Sequence, residues 1–189
     1  MSDTMTRSVH SHIGRKIQVI GAISSGKSTT AQSIAERLGL SFIDLDAVRH
    51  QPGWTEKPIE EFKVDVFGAL TQAGNGWVVP GNYFEALGVS VISQADTIIW
   101  LRIPFRSSFP RLFWRTLRRS WTKEELWNGN RESWHVSFFN RNSVLIEAAR
   151  KAQDRQRQEQ AILQQLSPQP TIIELTAYGQ INRFIDSLS

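Results

Sequence analysis

Cysteine is absent and methionine occurs only twice, which excludes disulfides, thiolate metal cages and cysteine nucleophiles. Long hydrophobic runs are missing too. The stretch Thr97 to Leu101 is among the longest, far short of the ~20 residues a membrane-spanning helix requires. The first fourteen residues are polar, include Asp3 and hold no apolar h-region, so they read as a loose extension over 1–14 rather than a signal peptide, and a cytoplasmic protein is expected. The four histidines, His10, His12, His50 and His135, show no metal-ligand spacing and no serine–aspartate partnership that would support a hydrolytic triad. What is present, 189 residues at 40% hydrophobic and 21% charged, suits a folded chain rather than a disordered or collagen-like one. That length favours a single domain over 15–189.

Charge is informative only when located. The net +4 conceals a segment, 102–157, with 13 Lys/Arg against 5 Asp/Glu, which is +8 and leaves −4 on the rest of the chain. Such a field suits an anion, either a phosphate chain or nucleic acid.

The hydrophobic pattern alternates between short apolar runs and amphipathic stretches. Lys16 to Ile20, Ser41 to Asp44, Trp77 to Val79, Thr97 to Leu101 and Pro170 to Leu175 read as strands. Helices are expected over Ser28 to Leu38, with Ala31, Ile34, Ala35 and Leu38 on one face and Gly39 as its stop, and over about Pro58 to Ala73, Phe105 to Ser120 and Ser143 to Leu166. A polar, tryptophan-rich insert from Trp121 to about Asn140 sits between the last two and is placed to serve as a small helical lid. Strands alternating with helices predict an α/β fold: a parallel sheet of about five strands with helices on both faces.

One motif carries chemistry. Gly21-Ala22-Ile23-Ser24-Ser25-Gly26-Lys27-Ser28-Thr29 matches G-x-x-x-x-G-K-[ST] at every fixed position, after an expected strand and opening an expected helix. Glycines let the main chain bring its N–H groups against phosphate oxygens, and the helix directs its positive end at the same charges. Lys27 supplies a mobile cation for the β- and γ-phosphates, and the Ser28 hydroxyl is a hard ligand suited to Mg²⁺. Residues 21–29 are therefore the expected ATP-binding segment.

Two carboxylates follow in Phe42-Ile43-Asp44-Leu45-Asp46, at the carboxyl end of the second strand, where doubly wound sheets bind ligands. Asp44 is the candidate metal-side acid and Asp46 the candidate that orients or deprotonates a hydroxyl acceptor. No other expected strand ends in aspartate, since the third stops at Pro80 and the fourth at Leu101. Arg111, Arg115, Arg118 and Arg119 recur at i, i+4, i+7 and i+8, so they share one side of a helix. Arg111 and Arg115 are candidates for stabilising a transferring phosphoryl group, and Arg119 for contacting the nucleotide. Trp54, Trp114, Trp121, Trp127 and Trp134 are open to two readings, stacking on a ring or packing a lid.

With these residues in hand, the chain from about Lys16 onward resembles the adenylate-kinase-related P-loop proteins labelled topology modulation protein. The resemblance rests on the phosphate loop, Asp46, Pro52-Gly53-Trp54, Gly81-Asn82-Tyr83, Ala95 through Leu101, and Arg111 with Arg115. Glu125 through Glu132 is similar to the lid segment of one branch of that group. It implies an ATP-dependent kinase fold, with Trp54, Asn82 and Tyr83 beside Asp46 at the acceptor. Pro80 stands where the group has an acid before Gly-Asn-Tyr, and the D-G-F-P-R segment of nucleoside monophosphate kinases is absent. FIDLD is instead similar to the aspartate pair of shikimate and gluconate kinases, which serves metal and a hydroxyl substrate. The expected function is transfer of the γ-phosphoryl group of Mg-ATP to a small-molecule acceptor. The alternatives are a nucleoside or nucleotide kinase, in which Trp54 or Tyr83 would stack on the acceptor base, and an ATP-responsive DNA-binding regulator using the basic segment.

Overall fold

The computed structural model describes residues 13–122 and 144–188. Five strands form one parallel sheet: β1 (Lys16–Gly21), β2 (Ser41–Phe42), β3 (Trp77–Pro80), β4 (Thr97–Leu101) and β5 (Thr171–Leu175), in the order β2-β3-β1-β4-β5. Parallel neighbours need crossovers, and helices supply them. These are α1 (Lys27–Leu38), α2 (Leu45–Arg49), α3 (Ile59–Gln72), α4 (Phe84–Leu87), α5 (Phe105–Thr122), α6 (Val144–Gln165) and α7 (Tyr178–Asp186). Short 3₁₀ turns lie at Pro52–Trp54 and Ile92–Gln94.

Alternation along the central strands sorts their side chains onto two covered faces. Ile17 and Val19 of β1, with Ile99 and Leu101 of β4, pack against Ile34 of α1 and against Ile181 and Phe184 of α7. Ile20, Ile98 and Trp100 point the other way, into a cluster with Phe62 and Val66 of α3 and Leu163 of α6. Each fully buried Phe or Ile side chain contributes about 1.5–3 kcal/mol, which is why the central strands carry apolar residues toward both faces. Among the described residues no helix is long and apolar enough to cross a membrane.

The expected second strand is shortened. Only Ser41 and Phe42 pair with β3, because Asp44 leaves the ladder and caps α2, its carboxylate accepting the Asp46 N–H at 3.0 Å. An aspartate one residue before a helix satisfies an otherwise orphaned donor, and that local bond prevails over two more residues of strand. Pro170 likewise falls just outside β5, which starts at Thr171. The expected lid over about Trp121 to Asn140, with Trp127, Arg131 and Trp134, lies almost wholly outside the described residues, as do the side chains of Trp54, Arg115, Arg119 and Trp121.

Candidate active site

β1 runs out at its carboxyl end into the phosphate loop. Gly21 has φ 144°, and a side chain there would meet the Leu101 carbonyl oxygen at 2.5 Å, so the first bend of the loop accepts glycine alone. Gly26, at φ 98°, turns the chain into α1 and brings no side chain to cap it. The first turn of α1 thus opens on the loop without a capping side chain from Gly26, the arrangement that binds phosphate oxygens. Ser24 takes up φ 61° without being glycine, a conformation that costs about 1 kcal/mol and is tolerated where a loop is shaped for a ligand. Lys27 arches back over the loop, its Nζ donating to the Gly21 and Ala22 carbonyl oxygens at 2.9 Å each.

Beside the loop lies a cavity of about 480 Å³, within the range of small-molecule sites. Of the residues expected from sequence, it gathers Ile23, Lys27, Ser28, Asp46, Asn82 and Tyr83. Asp46 enters it from the first turn of α2, and the Tyr83 hydroxyl donates to Asp46 Oδ1 at 2.6 Å. Burial first, then the charge and hydrogen bond of Asp46, push the Tyr83 phenol well above its ordinary pKa, so it stays protonated as a donor. Asp44 does not line the cavity; its carboxylate is occupied at the cap of α2.

Asn82 is tied to the loop itself. Its Oδ1 accepts the Gly21 N–H at 3.2 Å and its Nδ2 donates to the Gly21 carbonyl at 3.3 Å. Arg111 lies elsewhere: its guanidinium stacks 4.3 Å above the centre of the Tyr178 ring, and the Tyr178 hydroxyl donates to the Ser24 carbonyl at 3.2 Å. A cation and an aromatic plane thus flank the far side of the phosphate loop, on α5 and at the start of α7. Thr29 and the main chain of Ala22, Ser25 and Gly26 belong to the loop and its helix.

Five charged residues in the cavity were not singled out from sequence: Arg49, Glu56, Glu85, Arg155 and Glu159. Arg49 bonds to Glu56 Oε2 at 2.5 Å and to the Lys57 carbonyl, and its guanidinium lies 5.4 Å from the centre of the Phe62 ring. Arg155 and Glu159 come from α6, one helical turn apart. Glu159 is only 2% exposed, and burial drives its carboxyl above the usual carboxylate range against the opposing pull of Trp100, Lys27, Asn82 and Arg155. A sequence signal for it existed. Glu159 occupies the i position of the apolar stripe completed by Ile162, Leu163 and Leu166, and an acid on a buried stripe must find donors.

No family model matches this chain. A stretch is 31% identical over 102 residues to a shikimate kinase of Parasynechococcus marenigrum (strain WH8102), covering 48% of this chain and 53% of that protein. A shikimate kinase of Synechococcus sp. (strain CC9605) is 47% identical over 38 residues, 20% of this chain and 19% of that protein. The chain thus spans between about a fifth and about half the length of these two curated relatives. Among solved structures, the shikimate kinase from Acinetobacter baumannii in complex with shikimate matches with TM-score 0.56 at 16% identity, over 97% of this chain and 94% of that one. The shikimate kinase from Bacteroides thetaiotaomicron matches with TM-score 0.54 at 14% identity, over 92% and 95%. The fold is therefore that of the P-loop kinases: a five-stranded parallel sheet with helices on both faces.

Proposed function

We propose that this chain is an ATP-dependent phosphotransferase that moves the γ-phosphoryl group of ATP to a hydroxyl of a small-molecule acceptor. The observation that carries this reading is one cavity joining the phosphate-loop residues Lys27 and Ser28 to the carboxylate of Asp46. Phosphates seated on the N–H groups of α1 give Lys27 a stronger partner than the loop carbonyls it now holds. Lys27 then follows the negative charge that spreads over the transferring group. Asp46 takes the proton of the attacking hydroxyl; its Oδ1 is oriented by Tyr83, and a carboxylate has further acceptor capacity beyond that bond.

The donor set fits Mg²⁺. Ser28 offers a hard hydroxyl oxygen at the cavity, of the kind Mg²⁺ takes as a ligand beside phosphate oxygens. Ser28 would hold the ion, which would supply charge neutralisation of the transferring phosphates. Asp44, its carboxylate engaged at the α2 cap, would serve such an ion through water and not as a direct ligand.

The phosphates occupy the loop and the acceptor cavity opens on one side, so the nucleoside extends over the other, past Ser24, where Arg111 and Tyr178 present flat faces. Arg111→Ala should raise the KM for ATP about three- to tenfold with kcat nearly unchanged, the worth of one cation–π surface. Steady-state kinetics in ATP check this, and an unaltered KM would remove Arg111 from the base side.

Relatives named shikimate kinase, and a matching structure holding shikimate, support a hydroxylated small molecule as acceptor. Gly81-Asn82-Tyr83 and Pro52-Gly53-Trp54 support, within the P-loop kinases, kinship with the topology modulation group. The test is a panel of hydroxyl acids, polyols, nucleosides and nucleotides, read as ADP release with Mg-ATP. Acceptor-dependent ADP supports the reading, and the compound that gives it names the class. ADP formation independent of every acceptor would replace transfer with hydrolysis.

A further inference from the structure

The phosphotransferase reading leaves one buried acid without a task. Glu159 sits beside the phosphate loop, where taking a carboxylate from water costs several kcal/mol. An apolar residue would complete the stripe of α6 more cheaply. The acid is held by two donors: Trp100 Nε1 donates to Oε2 at 2.7 Å, and Asn82 Nδ2 donates to Oε1. Asn82 in turn grips both backbone groups of Gly21, the residue at which β1 becomes the loop. Lys27 Nζ reaches the same Gly21 carbonyl. Two side chains, Asn82 and Lys27, therefore meet on the Gly21 backbone, and Glu159 and Trp100 back Asn82 in a chain of hydrogen bonds from α6 and β4.

The chemistry of these groups fixes a direction. A side-chain amide presents an oxygen on one edge and N–H groups on the other, and in isolation it can face either way. A carboxylate accepts and does not donate, so Glu159 draws Nδ2 toward itself and leaves Oδ1 for the Gly21 N–H. The reversed amide would set its oxygen against the carboxylate and an N–H against the Gly21 N–H. Pro80, at the end of β3, carries no acid that could do this from the neighbouring position.

We propose that Glu159 is a positioning residue of the transfer site, which orients Asn82 on the Gly21 backbone and so ties α6, the helix that also brings Arg155 to the cavity, to the start of the phosphate loop. This rests on the loop holding a nucleotide. It assigns the hydrogen bond to Asn82, and not the negative charge, as the part that matters.

The test is calorimetric titration of the full chain with Mg-ADP, each variant being held below its own melting temperature. Glu159→Gln puts one acceptor oxygen before two N–H donors, so one donor must face the new amide nitrogen; affinity should fall about tenfold. Trp100→Phe removes the competing donor. In the double variant Glu159→Gln/Trp100→Phe the glutamine oxygen is released for Asn82, and affinity should return to within about threefold of Trp100→Phe alone. Asn82→Ala should itself lose about tenfold, and adding Glu159→Gln to it should change little more, as expected for residues acting through one bond. Wild-type affinity in Glu159→Gln would overturn the proposal. So would a glutamine variant that Trp100→Phe leaves unrescued, the behaviour expected of a counter-charge to Lys27. A wild-type chain that binds no Mg-ADP would instead remove the phosphotransferase reading on which the proposal stands.

Discussion

Lys27→Ala is expected to lower kcat/KM for ATP by at least about 10³-fold while leaving the fold intact. The side chain does two things that alanine cannot. On the proposed reading it brings a full positive charge to the transferring phosphoryl group, and removal of one preorganised charge-stabilising group commonly costs about 10²–10³ in rate. On the same reading it also holds the triphosphate, which adds a loss of affinity. The structural cost is small by comparison, because the hydrogen bonds of Lys27 to the Gly21 and Ala22 carbonyls are each worth about 1 kcal/mol net. Coupled-assay kinetics and a melting curve on the same preparation separate the two effects. A variant that melts like the wild type and turns over at an undiminished rate would detach the loop from catalysis.

Asp46→Asn should reduce kcat by about 10²–10⁴-fold with ATP affinity within about twofold of wild type. The substitution is discriminating because of Tyr83. Its hydroxyl donates to Asp46 Oδ1, and an asparagine oxygen accepts the same bond, so the acceptor pocket keeps its shape while the base is lost. The raised pKa of Tyr83 keeps its proton in place throughout the neutral range, so it does not substitute as a base. Single-turnover kinetics with a working acceptor, alongside nucleotide titration, give the comparison. Parallel loss of transfer and nucleotide affinity would move Asp46 to the nucleotide side.

These two residues were legible in the sequence because their signals are local. A glycine-rich turn between an apolar run and an amphipathic helix fixes Lys27 and Ser28 whatever the rest of the chain does, and the α/β alternation fixes the sheet that presents them. Asp44 and Asp46 were a matched pair in sequence, yet three-dimensional structure separates them. The first spends its carboxylate on the α2 cap, and the second, two residues later, lines the cavity. Local hydrogen bonding of that kind competes with strand pairing and is not visible in periodicity. Arg111 shows the limit of helical spacing, which places arginines on one face but does not say which object that face meets; here it is the ring of Tyr178, 67 residues away in sequence.

Asn82 and Glu159 were harder still. Asn82 belonged to a recognisable triplet and was assigned to the acceptor, whereas its amide also binds the Gly21 backbone. Glu159 lies more than 130 residues from the phosphate loop, on a helix where it is one of seven charged residues. Only its coincidence with the stripe of Leu163 and Leu166 marked it. The acid absent at Pro80 was expected to be replaced by Asp44 of the FIDLD segment, and the structure adds a second carboxylate, the buried Glu159 of α6, bonded to Asn82.

The central claim, that the bend from Gly21 to Ser28 grips the phosphates of ATP, is tested most directly by titrating the wild-type chain with a non-hydrolysable ATP analogue in the presence and absence of Mg²⁺. Saturable binding at one site, strengthened by Mg²⁺ and weakened at least about tenfold by Lys27→Ala, is the predicted result. Absence of binding up to millimolar analogue, or binding that Lys27→Ala leaves unchanged, would contradict it.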